Sequence, residues 1–71
     1  MDQIKIGKFI AECRKKKNLT QAQLAEMLNV TDRAISKWET AKAMPDSNIM
    51  LELCYILGIG VNELLCGEMI D

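Results

Sequence analysis

The stretch TDRAISKWE, Thr31 to Glu39, sets an arginine and a lysine four residues apart among hydroxyls and an aspartate. Four residues is about one helical turn, so Arg33 and Lys37 would share a face. An arginine so placed can present its planar fork to the O6/N7 edge of a guanine, a contact that discriminates between bases by about 1–3 kcal/mol. A lysine beside it offers a point charge to a base edge or a phosphate. Thr31 and Ser36 can donate or accept at the same surface. Asp32 has three possible roles: accepting from a cytosine N4, holding the Arg33 rotamer, or suiting the positive pole of the helix. The two structural roles rank first. The bland alternative for all of these residues is a solvated charged face, so the pattern around them has to decide.

Other chemistries are poorly served. The chain has 71 residues and no histidine, and Cys13, Cys54 and Cys66 are widely spaced and odd in number. A zinc site needs ligands that this set does not supply, so no metal or cofactor is expected. The thiols are expected to be reduced and to act as small hydrophobes, with Cys66 semi-buried. There is no glycine-rich phosphate loop, and a chain this short does not wall off a deep cleft, which discounts an enzyme. The apolar runs are only a few residues long and the first residues lack the apolar stretch of a signal peptide. No membrane partner and a cytoplasmic location are therefore expected.

The net charge of −1 hides a segregation. All nine basic residues lie in 1–42 with five acids, a surplus of four positive charges; 43–71 holds five acids and no base. That asymmetry fits a nucleic-acid face and a separate acidic face, although acids near helix starts also answer the helix dipole.

The elements that must position these residues are helical throughout, in an all-α chain read as one domain over 1–71 with a paired-helix motif at about 20–40. Ile6, Phe9, Ile10 and Cys13 form the apolar stripe of a first helix, which Lys15, Lys16 and Lys17 end and Asn18 breaks. Those lysines read as a solvated helix end. Thr20 and Gln23 make a capping box for a second helix with Leu24, Met27 and Leu28 as its apolar face. Asn29, which tolerates a left-handed backbone, stops it. Thr31 caps the third helix, whose core face is Ile35 and Trp38; the tryptophan is read as core rather than as a base-stacking platform. Asp46 or Ser47 starts a fourth helix, where Ile49, Met50, Leu53, Cys54, Ile56 and Leu57 cover so much of the circumference that it is expected to be central and buried. Gly58 ends it, and Gly60 caps a short fifth helix with Val61, Leu64 and Leu65 turned inward.

Two helices of about eight residues joined by LNVT have the proportions of a helix-turn-helix. Ala25 supplies the small residue needed where they cross, Asn29 the turn residue, and Val30 a plug beneath it. Thr31, Asp32, Arg33, Ser36 and Lys37 are left pointing outward near the start of the second helix of the pair, where a recognition helix meets base edges.

At this point the run LTQAQLAEMLNVTDRAISKWE resembles the Cro and phage-repressor-like (XRE-type) helix-turn-helix family. Members show L-T/S-Q-x-x-L-A followed by V-S/T-x-x-A/T-I/V-S-x-W-E, and PDSNIMLELCYILGIGVNELLCG is similar to the fourth and fifth helices of the family. The likeness runs from about Ile6 to Gly67. It implies a compact five-helix lambda-repressor-like fold that binds double-stranded DNA. It also implies a phosphate contact for Gln21, with Lys42 a further candidate, and groove or flanking-phosphate contacts for Thr31, Asp32, Arg33, Ser36 and Lys37. Arg14 matches the helix-1 arginine that, in several relatives, pairs with the glutamate closing the recognition helix, here Glu39. Three positions depart from the pattern: Asn29 and Ala41 stand where glycines are usual, and Gly60 where a serine or threonine cap is.

The resemblance implies a bacterial or phage-type repressor or regulator, working as a homodimer through the fifth helix and the residues after it. Val61, Glu63, Met69 and Ile70 are the candidates for that contact. Met69 and Ile70 are otherwise a frayed end. The alternative is an antitoxin-like or adapter module that uses the same fold, with the acidic face of helices four and five gripping a protein.

Overall fold

A computed structural model describes residues 1–70. The chain forms α1 (Gln3–Lys16), α2 (Gln21–Leu28), α3 (Asp32–Glu39), α4 (Ser47–Leu57) and α5 (Val61–Cys66), with no strand among the described residues.

Each helix begins where a local acceptor meets its free amides. Asp2 accepts from the Lys5 amide, Thr31 from that of Ala34, and Asp46 from that of Ile49; Asp46, rather than Ser47, is therefore the cap of α4. Thr20 and Gln23 form the reciprocal box. Gly60 has no side chain to cap with, and the Glu63 carboxylate instead accepts from its amide at 2.9 Å.

All five helices end in the same way. The residue after the last turn is left-handed, and the next amide reaches back five residues: Leu19 to the Arg14 carbonyl, Val30 to Ala25, Lys42 to Lys37, Ile59 to Cys54, and Glu68 to Glu63. The left-handed positions are Asn18, Asn29, Ala41, Gly58 and Gly67. Glycine and asparagine accept this conformation readily, whereas Ala41, at φ 63°, does so against the clash of its Cβ. The end of α3 thus keeps the shape of a glycine cap without the glycine.

The core draws its fully buried side chains from all five helices: Ile6 and Ile10, Leu24, Ile35, Leu53 and Leu64. Trp38 lies among them, 5% exposed. α1 packs on both α3 and α5, and its approach to α3 depends on Gly7. A Cβ there would lie 2.5 Å from the Trp38 carbonyl oxygen and 2.8 Å from that of Glu39. Nothing in the apolar spacing marked this residue.

Three expectations need correction. Met27 is 54% exposed and not part of the face that α2 buries, which is Leu24, Ala25 and Leu28. α4 is not the central helix: it buries Leu53, Cys54 and Leu57, while Leu51 and Tyr55 stand 60% and 89% exposed. Among the described residues no further helix packs over that side, so apolar residues around the circumference do not secure burial all round. Cys66 is exposed, unlike Cys13 and Cys54. Burial pushes the Cys13 and Cys54 thiols up from their ordinary range.

Candidate nucleic-acid interface

α3 is held from behind by Ile35 and Trp38, both buried. Arg33 lies about 160° round the helix from Ile35, so the anchor and the arginine cannot face the same way. Thr31, Asp32, Arg33 and Lys37 are exposed and Ser36 is partly so. The five side chains thus gather on one outward face beginning at the helix N-terminus, where free amides and the positive pole also attract anions. Thr31 spends its hydroxyl on the Ala34 amide at 3.1 Å. Among the described residues neither Arg33 nor Lys37 forms an ion pair, whereas Lys5 pairs with Glu68 and Arg14 with Glu39.

Behind this face, one buried guanidinium joins four parts of the chain. Arg14, 8% exposed, donates from Nε to Glu39 Oε2 at 2.6 Å and from Nη2 to Oε1 at 3.1 Å. Its Nη1 donates to the Leu19 carbonyl at 2.8 Å. The Gln21 amide donates to Glu39 Oε1 at 2.9 Å. α1, the α1–α2 turn, the first residue of α2 and the last residue of α3 are therefore tied at one carboxylate. The carboxylate's hydrogen bond holds Arg14 above its ordinary value, against the opposing pull of burial. No buried side-chain nitrogen or oxygen among the described residues lacks a partner.

Gln21 therefore has its side-chain amide turned toward Glu39, partly exposed. Lys42 is exposed just after the left-handed Ala41, and its amide donates to the Lys37 carbonyl at 2.8 Å. The α3 cap thus sets where Lys42 leaves the helix. Thr40, which no motif singles out, is exposed beside it and donates its hydroxyl to the Ser36 carbonyl. Its signal was only its place seven residues after Arg33, about two turns along the same side.

At the far end, the proposed partner-contact residues are arranged differently from one another. Glu63 is engaged within the chain, accepting from the Gly60 amide and, at 3.0 Å, from the Ile70 amide. These two backbone donors hold its carboxyl below the usual value. Met69 and Ile70 remain 53% and 52% exposed, and Val61 is partly exposed. The residues after α5 are thus tethered through Glu63 and through the Lys5–Glu68 ion pair. Among the described residues no cluster of three potential metal-binding side chains occurs, and no helix is long and apolar enough to cross a membrane.

Comparison with known proteins places this geometry among others. A helix-turn-helix family model matches residues 10–64. The HTH-type transcriptional activator BcrR of Enterococcus faecalis is 42% identical over 59 residues, 83% of this chain and 29% of its own length. The curated relatives are longer, and the chain spans from 29% to 56% of the first of them. The P22 c2 repressor protein, solved in complex with synthetic operator 9T, superposes with a TM-score of 0.84 at 35% identity, covering 89% of this chain and 96% of that one. The restriction-modification controller protein C.AhdI from Aeromonas hydrophila gives 0.80 at 27% identity, with the same two coverages.

Proposed function

The chain belongs to the helix-turn-helix family, and from that premise we propose that it is a DNA-binding transcriptional regulator that lays α3 in the major groove. The observation that carries the reading is the outward face of α3. Arg33 and Lys37 stand exposed and free of ion pairs among the described residues, on a helix clamped from behind by Ile35, Trp38 and the Arg14–Glu39 pair. Arg33 reads a base edge, Ser36 and Lys37 contact bases or flanking phosphates, and Thr31 and Asp32 shape the entry of the helix. Gln21 and Lys42 hold phosphates on either side. The P22 c2 repressor chain that was solved on an operator is similar over 96% of its residues, and that likeness supports the same mode of docking here.

The 71 residues act as one DNA-binding domain in the cytoplasm, with no catalytic step. One α3 touches only a few base pairs, so useful specificity calls for two copies on a two-fold operator with half-sites about 10–10.5 bp apart. Val61, Met69 and Ile70 form the contact between copies, with Glu63 holding the tail in place. Selection of bound duplexes from a random pool, followed by titration over a range of salt, tests the reading. A palindromic consensus whose affinity falls steeply with salt is expected, because bound phosphates release counterions. A flat salt response, or no enriched duplex, would refute it.

A further inference from the structure

We propose that the groove between α2 and α4 is a docking site for a segment of another protein that is apolar along one side and flanked by lysine or arginine. The floor and walls are Met27 from α2 with Leu51, Tyr55 and Ile56 from α4, enclosing about 420 Å³. Through Met27 the groove continues into a second hollow beside Gln23 and Glu26.

Exposure is the first argument. Tyr55 is 89% exposed and Leu51 60%, one turn apart on α4. Tyr55 lies about 160° round α4 from the buried Leu57, so neither residue is a fringe of the core. Met27 faces them across the groove, 54% exposed. An exposed tyrosine beside two flexible apolar side chains is the composition that protein-contacting surfaces favour, and the core of this chain makes no use of it.

Charge then chooses the occupant. The charged residues lining the two hollows are Glu26 and Glu52, with no base among them. Neither carboxylate takes part in an ion pair among the described residues. The same acids turn away phosphates, and the groove shares no residue with the outward face of α3, so DNA is not its ligand. A second copy docked face to face would bring Glu26 and Glu52 against themselves, a like-charge contact that costs affinity. The exposed Met69 and Ile70 of another copy come with Glu68, on which the neighbouring Lys5 is already spent, so they bring no free cation to the two glutamates. What fits is an apolar face that seats on Tyr55, Leu51 and Met27 with cations at its edges for the two glutamates.

A display library of random helical peptides of about 16 residues, some 24 Å of helix, selected against the whole chain, tests this. The expected winners carry large apolar residues at i, i+4 spacing with lysine or arginine on either side. Their amide shifts on the chain should fall in α2 and α4. Tyr55→Ser and Leu51→Ser should each weaken them by about tenfold or more, and Glu26→Gln with Glu52→Gln by several-fold, while duplex binding stays unchanged. These four residues are exposed, and circular dichroism would confirm that the variants remain folded. Enrichment of acidic peptides, shifts centred elsewhere, or no enrichment would overturn the proposal. So would self-association in sedimentation that Tyr55→Ser abolishes, which would give the groove to a second copy.

Discussion

Arg14 meets Glu39 at two points, 2.6 and 3.1 Å, although 25 residues separate them in the chain and both side chains are at most a tenth exposed. The same carboxylate takes the Gln21 amide, and the same guanidinium takes the Leu19 carbonyl. The pair therefore sets the angle of α3 against α1 and aims the start of α2 in the same operation. Removing one partner leaves a buried charge unanswered. Glu39→Gln and Arg14→Met are each expected to lower stability by about 3–5 kcal/mol in urea unfolding. The double variant Arg14→Met/Glu39→Gln should lose less than the sum of the two, because they share one interaction.

Ala41 occupies a left-handed cap that its Cβ disfavours. Relief of that clash, about 1–2 kcal/mol, is partly offset by the greater freedom of glycine when unfolded. Ala41→Gly should thus stabilise the chain by about 0.5–1 kcal/mol, a rise in melting temperature of about 3–6 °C. Valine at the same position should move the melting temperature the other way.

Gly7→Ala tests the close approach of α1 to the end of α3. Helix propensity alone would favour alanine by about 1 kcal/mol. Here the new methyl meets two backbone carbonyls, which cannot rotate aside as a side chain would. A net loss of about 1–3 kcal/mol is expected from thermal unfolding; a gain would mean that the two helices sit further apart.

Arg33→Ala and Lys37→Ala should separate reading from anchoring. Loss of a bidentate base contact costs about 1–3 kcal/mol and relaxes the preference at one position of the selected site. Loss of a phosphate contact weakens all duplexes alike and lowers the salt slope by about one. We expect Arg33→Ala to behave in the first way, as measured on the consensus duplex and on its single-base variants.

Acid should loosen the residues after α5. Glu63 and Glu68 are both held below the ordinary value of 4.5, Glu63 by the Gly60 and Ile70 amides and Glu68 by Lys5. A lowered folded-state value means that the contribution is complete above the unfolded value and is lost as pH falls through the folded one. The Gly60 and Ile70 amide resonances should therefore shift together on acidification below the ordinary carboxylate range. Glu63→Gln should remove that transition from both; its survival in the variant would assign it to another group.

Much of the outward face of α3 was legible because helix period is local. Ile35 and Trp38, three apart, name the inner side, and Arg33 and Lys37 then have to be outside. The caps at Thr20 and Thr31 were equally legible, since each acts within its own first turn, whereas spacing left Asp46 and Ser47 as alternatives for α4. Met27 and the outer side of α4 were misread for the complementary reason. Periodicity says which residues are able to be buried, but a partner surface has to be there to bury them. No spacing distinguishes Leu53, at 0% exposure, from Leu51 at 60%.

By itself, the sequence determined the five helices, the caps at Thr20 and Thr31, and the set of side chains that α3 presents, because backbone hydrogen bonds and the 3.6-residue period operate within a turn or two. The Arg14–Glu39 pairing is implied by the family resemblance, and its distances and the engagement of Gln21 belong to the tertiary structure. That structure alone decided the notch at Gly7, the left-handed Ala41 and the open groove beside Tyr55. Each of these depends on a backbone path or on what arrives from elsewhere in the chain, and neither is encoded in local spacing.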